Sequence, residues 1–220
     1  MCGRFAMART PEYLTRVFDL AAYVDLSPRY NIAPATEIPV VRRSPEGSRV
    51  LHLLRWGLVP HWSKDPARGA RLINARAESV MAKPAFRGAF HQRRCLIPAD
   101  GFYEWDHQGG NKRPYYFSPP DGAVLAFGGL WESWQAADGS LLRTACILTT
   151  AANAQVAPIH DRMPLLLAPA DWATWLEGPA AAAQDLLQPA PDTALRAWLV
   201  SPRVNRVQEE GEELLAPRED

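Results

Sequence analysis

The sequence is poor in the features that would place a chain in a membrane, in a disulfide scaffold or around a metal. No apolar run approaches the roughly 20 residues needed to cross a bilayer. The first residues also lack the basic-then-apolar layout of a secretory signal. The expected location is therefore cytoplasmic, or nuclear in a eukaryote, with no membrane partner. The three cysteines, Cys2, Cys95 and Cys146, are an odd number at spacings of 93 and 51. Neither a disulfide framework nor a zinc-ligand pattern fits them, and no metal or organic cofactor is expected. Net charge is missing too: 24 Lys and Arg face 24 Asp and Glu, which removes the overall positive field that marks many nucleic-acid binders. No internal repeat and no linker divides the chain, so a single domain over residues 1–220 is expected; a monomer is expected as well, although no residue pattern bears on the oligomeric state.

What is present is unevenly placed. Residues 1–110 carry 16 basic against 10 acidic side chains, and residues 111–220 carry 8 against 14, the acids clustering in the last dozen residues. A basic half on a neutral chain permits a local phosphate groove, although solvated surface arginines explain it as well. A length of 220 residues with 47% hydrophobic side chains is enough for a sizeable core. Thr10, Pro11 and Glu12 form a helix start, and Tyr13, Leu14, Val17 and Phe18 continue one apolar face to about residue 19. From residue 37 the texture is that of short strands, at 37–43, 49–56, 94–98, 101–105, 114–118, 123–131 and 142–149. Gly109-Gly110-Asn111 and Ala137-Asp138-Gly139 fall between strands as hairpin loops. A helix is expected at 169–177 with Trp172 and Trp175 in the core, a local connection at the alanine run 180–183, and a frayed acidic tail after about 212. Together these predict an α+β domain built on a curved, largely antiparallel, barrel-like sheet with inserted helices.

The chemistry-bearing residues are dispersed. Cys95 and Cys146 lie in apolar strand-like runs, where a free cysteine is usually a small buried hydrophobe. Cys2 differs, because a side chain this small lets methionine aminopeptidase remove Met1. The mature chain would then begin with an amine and a thiol on adjacent carbons, a pair that condenses with aldehydes to an imine and then to a thiazolidine ring. An α-amine has a pKa of about 7.7 to 8.0 against about 10.4 for lysine, so near pH 7 about a tenth of it is neutral and nucleophilic. Asn74, Arg76 and Glu78 alternate in Leu72-Ile73-Asn74-Ala75-Arg76-Ala77-Glu78, which on an extended segment aims them to one side; Arg76 and Glu78 also fit a surface ion pair. Glu104 sits among aromatics in Asp100-Gly101-Phe102-Tyr103-Glu104-Trp105, a setting that raises a carboxyl pKa and suits general acid work. A buried partner of an arginine is the plainer reading of it. His160 in Ile159-His160-Asp161-Arg162-Met163-Pro164 is suited to moving protons near neutrality, although a single histidine is more often structural.

Taken in order, these segments resemble the SRAP (SOS response-associated peptidase) family. The resemblance is carried by Met1-Cys2-Gly3-Arg4-Phe5, Arg29-Tyr30-Asn31-Ile32-Ala33-Pro34, Trp56-Gly57-Leu58-Val59-Pro60, Asn74-Ala75-Arg76, the run from Asp100 to Trp105, Thr149, His160-Asp161-Arg162, and Ser201-Pro202-Arg203-Val204-Asn205 with Gly211. It implies an abasic-site processing protein that links covalently to abasic sites in single-stranded DNA. Cys2 would be the nucleophile, Asn74 would hold the terminal cysteine and the opened sugar, Glu104 would assist proton transfer, and His160 would handle ring opening and reversal. Arg4, Arg76 and Arg162 would grip phosphates, with Thr149 beside them, while Pro34 and Trp62 would form an apolar wedge for bases. The family name further implies an autopeptidase step exposing Cys2. One departure is the order His61-Trp62-Ser63, where some relatives carry two consecutive tryptophans.

Two other classes stay open at this point. Glutamine amidohydrolases also begin Met-Cys-Gly and use the cysteine on an amide, but their Gly-Ile-x-Gly continuation is absent. A non-catalytic single-stranded nucleic-acid binding module would use the same arginines and aromatics and leave Cys2 idle.

Overall fold

The computed structural model of the chain describes residues 2–23, 25–107 and 112–218. Its organising element is a hairpin of apolar strands, β3 (Glu37–Arg43) and β4 (Arg49–Trp56), paired antiparallel from Glu37↔Arg55 to Arg43↔Arg49. The chain reverses between them where Gly47 takes φ +92, a left-handed conformation that glycine adopts without steric cost. The end of β4 lies parallel to β10 (Leu141–Ala151) at Thr144↔Arg55, and β10 runs antiparallel to β9 (Leu125–Gln135) from Leu141↔Gln135 to Ile147↔Gly129. From β9 the ladder continues to β6 (Arg94–Ala99) and returns to β3 at Val41↔Leu96. These five strands close on themselves, so a barrel without free edges is formed.

A second, wholly antiparallel sheet has the order β12 (Arg196–Leu199), β8 (Arg113–Ser118), β7 (Gly101–Asp106), β1 (Phe5–Met7), β2 (Arg29–Ile32). The chain crosses from barrel to sheet at one residue, Asp100, whose carboxylate accepts from the Ala8 N–H at 2.6 Å and from Arg9 Nε at 2.7 Å. Gly101 follows because nothing larger fits: a Cβ there would lie 2.3 Å from the Phe117 carbonyl oxygen and 2.5 Å from Tyr116 Cζ. Gly101→Ala is expected to destabilise the fold by about 3 kcal/mol in urea unfolding, since a paired backbone oxygen cannot retreat cheaply. The two layers share an aromatic core in which Phe5 meets Trp56 edge-on at 5.3 Å and Phe102 stacks on Phe117 at 5.0 Å.

Helix α1 (Pro11–Phe18) begins as expected, with the Thr10 hydroxyl accepting from the Tyr13 N–H, and buries Leu14 and Phe18. Phe18 stacks at 4.5 Å on Trp172, and Trp172 and Trp175 are core residues, as are Cys95 and Cys146. The expected helix at 169–177 is divided into a 3-10 turn (Pro169–Asp171) and α3 (Trp172–Glu177). The helix α2 (Pro84–Gln92) had a signal in Pro84 at its first position and Phe86 and Phe90 four apart, both buried. The alanine run is not a bare connection but helix α4 (Ala180–Asp185), in keeping with alanine's high helix propensity. Nor does the chain fray from residue 212 through Arg218. Leu214 is fully buried, and the Arg218 N–H bonds to the Leu199 carbonyl at 2.8 Å, because an apolar side chain within the acidic run anchors it. The loop at 137–139 is a hairpin turn joining β9 and β10, while 109–111 lies outside the described residues. No helix among the described residues is long and apolar enough to cross a membrane.

Candidate active site

The register of β1 against β7 pairs Phe5 with Phe102 and Ala6 with Gly101, and the Tyr103 N–H continues it with a 2.9 Å bond to the Arg4 carbonyl. Extending that register sets Glu104 beside Gly3, so its carboxylate shares the neighbourhood of Cys2. The third segment arrives from the barrel. Strand β5 (Asn74–Arg76) lies parallel to β10 with Ile147↔Asn74, and Asn74 Nδ2 donates to the Cys2 carbonyl at 2.8 Å. Asn74 Oδ1 is buried and has no partner among the described residues, leaving an acceptor beside the cysteine backbone. Strand β11 (Arg162–Pro164) pairs with the other side of β10, with Ala151↔Arg162, and Asp161 just before it is near enough for its charge to act on Glu104.

Burial governs the protonation states here. Cys2 is inaccessible to solvent, and burial together with the Glu104 charge pushes its thiol up, so it is held as S–H. Glu104 is 3% exposed, and burial pushes its carboxyl up to about 7, so both protonation states are populated at neutral pH. His160 is shifted down, first by burial. Its Nδ1 accepts the Arg162 backbone N–H at 3.0 Å and also lies 2.9 Å from Asp161 Oδ1. These contacts need opposite protonation of Nδ1. The backbone donor is fixed by β11 whereas the Asp161 side chain is 86% exposed and shared with solvent, so the neutral tautomer with its proton on Nε2 is favoured.

Around this centre stand the cationic and apolar side chains. Arg4 Nη1 donates to Asn31 Oδ1 at 2.7 Å and to the Val204 carbonyl at 2.8 Å. Arg76 is exposed. Arg162 is bound at both terminal nitrogens to Glu78, at 2.7 and 2.9 Å, and to the Thr149 carbonyl at 2.5 Å. Thr149 itself is buried beneath that guanidinium. Trp62 is 51% exposed, and Pro34 is half-buried.

The whole of this arrangement falls within one family profile: that described as SOS response associated peptidase (SRAP) matches residues 1–207. The chain belongs to the SRAP family. Among its relatives, the abasic site processing protein YoaM of Bacillus subtilis is 38% identical over 98% of this chain and 97% of its own length. YedK of Escherichia coli, also named an abasic site processing protein, is 31% identical over 99% and 100%. HMCES of Gallus gallus, of the same description, is 33% identical over 100% of this chain and 78% of its own. A crystal structure of a Bacteroides thetaiotaomicron protein shares the fold with a TM-score of 0.89 at 23% identity, over 99% of this chain and 100% of that one. One from Bordetella bronchiseptica gives 0.80 at 28%, over 91% and 100%.

Against the positions expected of an SRAP protein, Cys2, Asn74 and Glu104 are brought to one place although up to 102 residues separate them, and Asp161, next to His160, is near enough for its charge to raise the Glu104 carboxyl. The alternation that aimed Asn74, Arg76 and Glu78 to one side does not persist. The strand ends at Arg76 and turns through a 3-10 segment (Ala77–Ser79), so Glu78 faces Arg162 instead of pairing with Arg76. Two residues were not foreseen. Buried Asn31 joins Arg4 to the carbonyls of Arg206 and Glu209, both at 2.9 Å, tying the Cys2 segment to the C-terminal stretch; its only sequence signal was membership of a family motif. Glu78 as the partner of Arg162 had no local signal.

Proposed function

We propose that this SRAP protein processes abasic sites in DNA by capturing the opened sugar on Cys2 after loss of Met1. The observation that carries the reading is the Asn74 amide gripping the Cys2 carbonyl beside the buried Glu104 carboxyl, which is pushed up to about 7. The names of the relatives support the substrate class.

Hydrolysis of the Met1–Cys2 bond, by an aminopeptidase or by the protein itself, frees the α-amine. His160, with its proton on Nε2, assists opening of the sugar to its aldehyde. The amine adds to the carbonyl carbon, and Glu104 gives its proton to the hydroxyl, which leaves as water and forms an iminium. Glu104, now a carboxylate, takes the thiol proton while Sγ bonds to the iminium carbon and closes a thiazolidine. The balance is one amine, one thiol and one aldehyde giving one ring and one water. No cofactor enters. Closure is intramolecular and gains the high effective concentration of a tethered nucleophile. Arg4, Arg76 and Arg162 would hold phosphates with Thr149 supporting Arg162, and Trp62 with Pro34 would receive bases without reading them, so one strand of any sequence is a substrate.

The test is incubation with a single strand bearing one abasic site and with the same strand intact, followed by denaturing electrophoresis. A retarded band with the abasic strand alone is expected. Binding to both strands under native conditions with no band after denaturation would replace this reading by a non-covalent strand binder.

A further inference from the structure

We propose that Glu78 is an internal competitor for the DNA backbone, a carboxylate that occupies the Arg162 fork where a phosphate would sit and so lowers affinity for any strand. The inference rests on the functional reading above and deepens it. Arg162 has a side chain only 12% exposed, and Glu78 takes both of its terminal nitrogens while Thr149 holds one of them from behind. Its Nε is buried without a partner among the described residues. The two-nitrogen face that would receive a phosphate is therefore filled. A carboxylate and a phosphate present the same pair of oxygens to a guanidinium, and the hydrogen bonds from Arg162 hold the Glu78 carboxyl below its ordinary range.

The two partners are unequally fixed. Arg162 is anchored by its strand and by the Thr149 carbonyl, whereas Glu78 lies on a short turn with its side chain 57% exposed. An arriving phosphate can displace Glu78 into solvent without disturbing the strand that carries Arg162. The displacement costs affinity on intact and damaged strands alike, but only the damaged strand goes on to a covalent bond. Glu78 thereby sets how briefly the protein stays on undamaged DNA.

The test uses an intact oligothymidylate of about fifteen nucleotides and fluorescence anisotropy. Glu78→Gln is expected to bind it about fivefold more tightly, the scale of an exposed ion pair. In an Arg162→Gln background the same change should leave affinity within about 1.5-fold. Equal tightening in both backgrounds would mean general charge repulsion and overturn the proposal. Unchanged or weaker binding by Glu78→Gln, or no binding by the wild type, would also overturn it and leave Glu78 as a strut between β11 and the turn. Melting temperatures, with Glu78→Ser as a second variant, keep misfolding from imitating either result. Covalent capture of an abasic strand by the wild type is scored separately: its absence alongside tightening defeats only the functional reading, and its presence without tightening defeats only this inference.

Discussion

Cys2→Ala removes the denaturation-resistant complex with abasic single-stranded DNA, lowering its yield by at least about a hundredfold. The size of the effect follows from what is deleted. The α-amine survives in the alanine variant and can still form an imine, but imines hydrolyse, and no thiol remains to close the ring. Borohydride reduction during incubation should restore a stable link to the variant, which separates the amine's contribution from the sulfur's. A persisting imine also acidifies the neighbouring carbon of the sugar, so the variant should cut more of the strand by elimination than the wild type does. The Cys2 side chain is buried and its Sγ is a small part of a core of more than forty apolar side chains, so loss of fold does not account for the result. A full yield of stable complex from Cys2→Ala without reductant would falsify the mechanism.

Glu104→Gln slows complex formation by about a hundredfold, the usual contribution of one positioned acid. Its pH signature is more telling than its magnitude. Glu104 must carry its proton, which is lost as pH rises through about 7. The amine must be neutral, which requires pH to rise towards its own value of about 7.7 to 8.0. The wild-type rate should therefore be bell-shaped, with its maximum between these values, and the glutamine variant should lose the alkaline descent while keeping the acid one. Retention of both limbs would remove Glu104 from the chemistry.

The same substitution has an opposite effect on stability. A carboxyl raised from the usual 4.5 to about 7 binds its proton more tightly when folded. That contribution is fully present below about pH 4.5 and is lost as pH rises through 7, after which burying the charge costs about 3 kcal/mol. Glu104→Gln should accordingly unfold at higher urea than the wild type at pH 8 and match it near pH 4. A residue that costs the fold stability, as Glu104 does above pH 7, is the kind of trade expected of the acid role proposed for it.

Particular residues show why parts of the molecule could be read in advance. The strands at 37–43 and 49–56 were legible to the residue, because Ile38, Val40, Val41, Val50, Leu51, Leu53 and Leu54 give both segments an apolar, strand-forming character and Ser44-Pro45-Glu46-Gly47 marks the turn between them. β5 and β11, at three residues each, were not, since such short pairings are stabilised by β10 on one side and not by any propensity of their own. The buried carboxyl at Glu104 was legible from its aromatic neighbours and gave the correct direction of its pKa. The partner of Glu78 was not legible, because it lies 84 residues away and is chosen by where two strands flank a third.

The amino-acid order by itself determined the residue types, the α+β texture, the family and a second-position cysteine able to become an N-terminal aminothiol. Those follow from local patterns, which need only neighbouring side chains to be meaningful. Tertiary structure alone decided that Asn74 would hold the Cys2 carbonyl, that Arg4 would lean on Asn31 and the C-terminal stretch, and that Arg162 would arrive already occupied. Such contacts join segments whose separation is set by barrel closure and strand register, and charge or hydrogen-bonding capacity in a sequence carries no address for the partner that will meet it.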